Sequence, residues 1–117
     1  MQFVLLIYHG ASPLPGSAGW KALSEAEQKA IYGEYAELNR EAGIKLRLPP
    51  IAPDKATTVQ VRVGKVQVEN GTHLAEGVGG AFVFEAESIE AAIALAARIP
   101  QARLGGAVEI RPVEKYF

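Results

Sequence analysis

The 117-residue sequence contains no cysteine, a single tryptophan and only two histidines. Without cysteine there is no disulfide, no thiolate nucleophile and no zinc ribbon, and a reducing, cytoplasmic setting is the expected one. A basic block is missing too: twelve Lys and Arg stand against thirteen Asp and Glu, a formal charge of −1. Neither nucleic acid nor an anionic membrane is therefore an expected partner. Long apolar runs are absent. The densest, Phe3 to Tyr8 (FVLLIY), falls short of the roughly 7–15 residues of a signal core and the roughly 20 of a membrane span, and no positive charge precedes it. It is expected to be a strand. There is also no G-x-S-x-G around Ser12 or Ser17, and no Lys-Ser/Thr after the glycines at 77, 79 and 80, so neither a serine nucleophile nor a nucleotide loop is supported.

What remains is the composition of a globular domain, 49% hydrophobic and 21% charged, and a length that suits one domain, 1–117. Phe3–Tyr8 is followed by a turn-rich loop, Gly10 to Gly19. Ser24 and Glu27 form a capping box, S-x-x-E, and Ile31, Tyr35, Leu38 and Ala42 make one apolar helical stripe that Gly43 is expected to end as a left-handed residue. Ile44–Leu48 alternates as a half-exposed strand, interrupted by Pro49, Pro50 and Pro53. Thr57–Val63 and Lys65–Glu69 alternate as a hairpin about Gly64-Lys65. Ala81–Phe84 is again a doubly apolar strand. Ser88 caps a second helix ended by Pro100, and Ala107–Val113 is a last strand. The order predicts an α+β ferredoxin-like sandwich with an added β-hairpin: an antiparallel sheet with two helices on one face.

Two helices cover only one face, yet Phe3–Tyr8 and Ala81–Phe84 are apolar on both. Stacking the second face on another copy is the economical solution, so a homodimer whose facing sheets enclose a pocket is expected. The alternative is a monomer in which the loops 10–22 and 70–79 fold over that face.

The stretches FVLLIYHG, LSEAEQ, PDKATTVQVRVGKVQV, the Gly79-Gly80 pair, ESIEAAIALAARIPQAR and VEIRPV together resemble the YCII-related family, in particular its DGPF branch, within the dimeric α+β barrel superfamily. The resemblance runs nearly end to end. Where the branch has Asp-Gly-Pro-Phe, this chain has Asn70-Gly71-Thr72-His73; Gly71, Glu76 and Gly79-Gly80 match the pattern. The His and Asp thought to act in related proteins align with Tyr32 and Glu41, so that dyad is not carried over. The resemblance implies the fold and a barrel pocket for a small organic molecule, without a reaction. As an alternative it implies a cofactor-independent lyase, isomerase or dehydrochlorinase acting on a cyclic or aromatic compound.

Six candidates stand out beside Glu76. His9 ends the first strand, as a general base or polar anchor at the pocket mouth, or as a loop histidine bonded to backbone. His73 takes an aromatic position and offers stacking or proton transfer; with Glu76 it forms H-x-x-E, which says little in a loop. No metal and no cofactor is expected. Tyr8, Tyr32 and Tyr35, with Trp20, are candidate pocket aromatics or simply core. Arg111 can hold a ligand carboxylate or pair with Glu109. The glycines at 77, 79 and 80 suit a close backbone approach or a bulge at the strand start.

Overall fold

The computed structural model describes residues 1–47, 55–73 and 77–114. Leu48, the three prolines at 49, 50 and 53, Glu76 and the aromatic tail lie outside the described residues. Strands β1 (Gln2–Tyr8), β2 (Ile44–Arg47), β3 (Thr57–Arg62), β4 (Lys65–Asn70), β5 (Val78–Glu85) and β6 (Ala107–Pro112) accompany helices α1 (Ala18–Ala22), α2 (Glu25–Asn39) and α3 (Ile89–Ala97). Four strands form one sheet in the order β2-β5-β1-β6, and β3 and β4 form a separate two-stranded sheet. All the pairings are antiparallel. The architecture is α+β, with the strand order of a ferredoxin-like sandwich. No described helix is long and apolar enough to cross a membrane.

Period-two alternation sorts β1 into two faces. Phe3, Leu5 and Ile7 join Phe82 and Phe84 of β5 in a core with Leu38 of α2 and Ala92, Leu95, Ala96 and Ile99 from α3 and its end. Each such side chain contributes roughly 1.5–3 kcal/mol by leaving water. The opposite face carries Val4, Leu6 and Tyr8, with Ala81 and Val83 of β5 paired alongside Leu6 and Val4. Leu46, across from Val83, is 54% exposed. The loop 10–17 and α1 do not cover this second face; Pro13, Leu14 and Trp20 sit with Ile7 and Phe82 on the helix side.

Helix α2 begins where expected, with both halves of the Ser24/Glu27 capping box formed. It stops earlier than the stripe suggested: Arg40 is the C-cap. Gly43 is not left-handed. A Cβ there would lie 2.4 Å from the Phe84 ring, so close packing onto β5, and not helix termination, requires this glycine. Gly33 has open space around its missing Cβ. Gly33→Ala is therefore expected to stabilise the protein by about 1 kcal/mol through helix propensity, read as a higher midpoint in urea; a lower midpoint would mean that the position is sterically closed.

The hairpin turn also differs from the expected Gly64-Lys65. Arg62 pairs with Lys65, leaving Val63 and Gly64 as the two turn residues, both at positive φ (51° and 72°). Two positive-φ residues match the right-handed strand twist, but a β-branched residue accepts that conformation at a cost of about 1–2 kcal/mol. Val59 pairs with Val68 and Val61 with Val66, so four valines share one hairpin face, and all are more than half exposed. The radius of gyration, 16.2 Å, exceeds the roughly 13.4 Å of a compact chain of this length. The long dimension is 52 Å against a thickness of 18 Å.

Candidate functional site

A cavity of about 520 Å³ lies on the helix side of the sheet. Its floor is Ile7, Gly79, Gly80 and Phe82; α2 supplies Ile31, Tyr32, Tyr35 and Asn39; the loop 13–15 and Trp20 form the rim. The cavity thus sits on the face opposite the one where facing sheets were expected to enclose it. The reason is the path of the turn-rich loop after β1, which folds over the helix side and walls in space between α2 and the strands. Trp20 packs edge-on against Tyr32, with ring centroids 5.3 Å apart.

Polar groups gather at one end. Ile7 pairs with Gly80 but Tyr8 pairs with Val78, so Gly79 is an extra residue in a bulge. Its carbonyl lies 3.2 Å from Nε2 of His9. A carbonyl only accepts, so Nε2 carries a proton. In the neutral ring Nδ1 then accepts, and Nε2 of Gln101 donates to it at 3.5 Å, a long contact. Tyr35 donates its hydroxyl hydrogen to Oε1 of the same amide. Gln101 is only 8% exposed, held in a 3₁₀ turn, Pro100–Ala102, whose Gln101 carbonyl accepts from Gly106 N at 2.9 Å. A bidentate Arg103–Glu34 ion pair ties the segment after this turn to α2 beside Tyr35, and that hydrogen-bonded guanidinium holds the Glu34 carboxyl below its usual range.

Glycine at this bulge is what lets the His9 ring lie against the strand: a Cβ would lie 1.9 Å from that ring. The close approach and the bulge anticipated for the glycine cluster are both present here.

Burial pushes the Tyr35 hydroxyl up to about 12, with the Glu34 charge adding to it and the Gln101 hydrogen bond opposing. Tyr35 is therefore a neutral donor at physiological pH. A phenol raised above its unfolded value of about 10 contributes stability that is complete below pH 10 and lost as pH rises through about 12. In an alkaline pH-jump followed by absorbance, wild type is expected to show a tyrosine transition near pH 12 that Tyr35→Phe lacks. An unchanged high-pH limb in Tyr35→Phe would contradict this environment.

Of the sequence candidates, His9, Tyr32 and Tyr35 come together at the cavity. Tyr8 lies on the other face of the sheet, paired beside Ala107 of the edge strand. Arg111 is on β6, largely exposed, with NH2 2.7 Å from the Glu109 carboxylate, the second of its two expected roles. His73 is exposed just after β4 and is not among the cavity residues; Glu76 is outside the described residues. Among the described residues no group of three His, Asp or Glu converges as a metal site would require. Gln101 and Asn39 are the residues that sequence reasoning missed. The only trace of Gln101 was its place directly after the helix-ending Pro100.

Among curated proteins none matches this chain. The model of the YCII-related domain matches residues 1–116, essentially the whole span that builds the sheet, the helices and the cavity, and the chain belongs to the YCII-related family.

Proposed function

We propose that this protein binds a small organic molecule in the cavity between α2 and the sheet, and that it works as a homodimer of the DGPF branch of its family, in the cytoplasm. The observation that carries the binding reading is the joining of a 520 Å³ space to one buried polar end, Tyr35–Gln101–His9. Apolar walls with a few convergent polar groups are the usual make-up of a ligand site. The branch assignment rests on Gly71 and on Gly79-Gly80 at the start of β5.

The dimer reading rests on two apolar surfaces: the half-buried Val4–Leu6–Val83 face with exposed Leu46, and the exposed valine face of the β3–β4 arm. In sedimentation equilibrium, wild type is expected at twice the chain mass and Leu6→Asp at once the mass, because an unpaired carboxylate would be buried in the contact. A monomeric wild type would remove the dimer.

A second reading, the cofactor-independent lyase, isomerase or dehydrochlorinase, has His9 or His73 as base and Arg111 or Tyr32 as anchor, with His9 and Tyr32 the pair that lines the cavity. It draws on the imidazole at the cavity wall. Both ring nitrogens are engaged, so proton transfer requires Gln101 to turn away first; binding is the simpler function. A thermal-shift screen of small aromatic compounds on wild type and Leu14→Trp, which fills the rim, separates the possibilities. Stabilisation of wild type alone supports cavity binding. Equal stabilisation of both moves the site elsewhere, and silence from every compound leaves the domain structural.

A further inference from the structure

The cavity's own inventory of charge and hydrogens narrows its ligand, given the reading that a small molecule binds there. No Asp, Glu, Lys or Arg among the described residues lines it. An ion entering such a space would lose part of its hydration without gaining a counter-charge from a described residue, which is unfavourable. The polar end is equally constrained. The hydrogen on His9 Nε2 is spent on Gly79 O, and Nδ1 is occupied by the Gln101 amide. Tyr35 stays protonated, and its hydrogen goes to Gln101 Oε1. An amide nitrogen carries two hydrogens, and the described structure accounts for one of those on Gln101. Gln101 is more than nine-tenths buried and lines the cavity, so a ligand in that space is in place to accept the second hydrogen, for which no described residue supplies an acceptor. A donor left unpaired away from water is penalised, and a ligand acceptor removes that penalty.

We infer that the natural ligand is uncharged and largely apolar, with a carbonyl that accepts the second amide hydrogen of Gln101. The rings of Trp20 and Tyr32, packed together, and of Phe82 on the floor favour a cyclic body. The Tyr35 oxygen, which donates to Gln101 and retains its lone pairs, can accept from a hydroxyl or N–H next to that carbonyl. A carboxylate is disfavoured, since Arg111, the cation that would have held one, is on the edge strand β6 in a pair with Glu109.

The test is isothermal titration calorimetry at pH 8 with one bicyclic body in four forms: 1-tetralone, tetralin, 1,2,3,4-tetrahydro-1-naphthoate and 1-aminotetralin. The ketone is expected to bind at least about tenfold more tightly than the carboxylate or the ammonium form, and about three- to tenfold more tightly than the hydrocarbon. In Gln101→Leu the ketone's advantage over tetralin disappears while tetralin still binds; if that variant does not fold, Gln101→Met carries the same comparison. Carboxylate or amine binding as tightly as the ketone overturns the uncharged ligand but leaves the cavity as a binding site. Ketone and hydrocarbon binding equally overturns the carbonyl contact. No heat from any of the four overturns the binding reading itself, and this inference falls with it.

Discussion

Replacing Gly106 by alanine is expected to destabilise the protein by about 4 kcal/mol or more, among the largest single-residue effects that a small domain shows. A Cβ at this position would lie 2.2 Å from the carbonyl oxygen of Tyr8, 2.7 Å from that of His9 and 3.0 Å from that of Gln101. These are backbone atoms, and a side-chain rotation cannot clear them. The Tyr8 and His9 carbonyls belong to the end of β1, and the Gln101 carbonyl accepts from Gly106 N at 2.9 Å. Relief therefore means separating the 3₁₀ turn from the sheet edge, which also removes Gln101 from the cavity wall. At 117 residues a loss of this size lowers the thermal midpoint by about 15 °C. A fall of less than about 3 °C in Gly106→Ala would mean that the loop backs away freely and that the placement of Gln101 is not enforced by close packing.

Gly79→Ala is expected to act on the site more than on the fold. Its Cβ would overlap the His9 ring, at 1.9 Å from Cδ2 and 2.0 Å from Nε2. An imidazole is the end of a side chain and can swing out, so the sheet survives at a cost of about 1–3 kcal/mol. The ring cannot swing out and keep its partners. It loses the Gly79 carbonyl on one nitrogen and Gln101 on the other, and Gln101 is then held by Tyr35 alone. Affinity for 1-tetralone, the neutral probe, is expected to drop at least about tenfold as the preorganised amide loosens. Wild-type affinity in a folded Gly79→Ala protein would show that His9 does not organise the polar end.

Much of this arrangement is written in local patterns. The Ser24/Glu27 capping box starts α2 as spaced, and the doubly apolar Phe3–Tyr8 run marks a central strand because both its neighbours, β5 and β6, pair with it. The glycines before Phe82 signal the bulge that frees the Gly79 carbonyl. The side of the sheet on which the cavity sits was not legible. A strand apolar on both faces gives alternation but no sign of which face the helices take, so Ile7 and Tyr8 looked alike, and only Ile7 meets the cavity. Gln101 was hidden for a different reason. Its placement comes from the local Gly106–Gln101 backbone bond and from the Arg103–Glu34 clamp, which joins residues far apart in sequence, and a glutamine in a loop carries no periodic signal. Gly43 misled in the same way: a helix-ending position was suggested by its place, while its real constraint is the Phe84 ring across a tertiary contact.

With two histidines in the chain, one at the cavity and one exposed after β4, the ring nitrogens give an assignable readout of where a ligand goes. Imidazole ¹⁵N–¹H correlation spectra recorded while 1-tetralone is added therefore test the central claim most directly. His9 is expected to show the Nε2–H tautomer in the free protein, with signals that move on titration while those of His73 stay fixed. A free protein with the Nδ1–H tautomer, or a titration that moves His73 and leaves His9 in place, would contradict it.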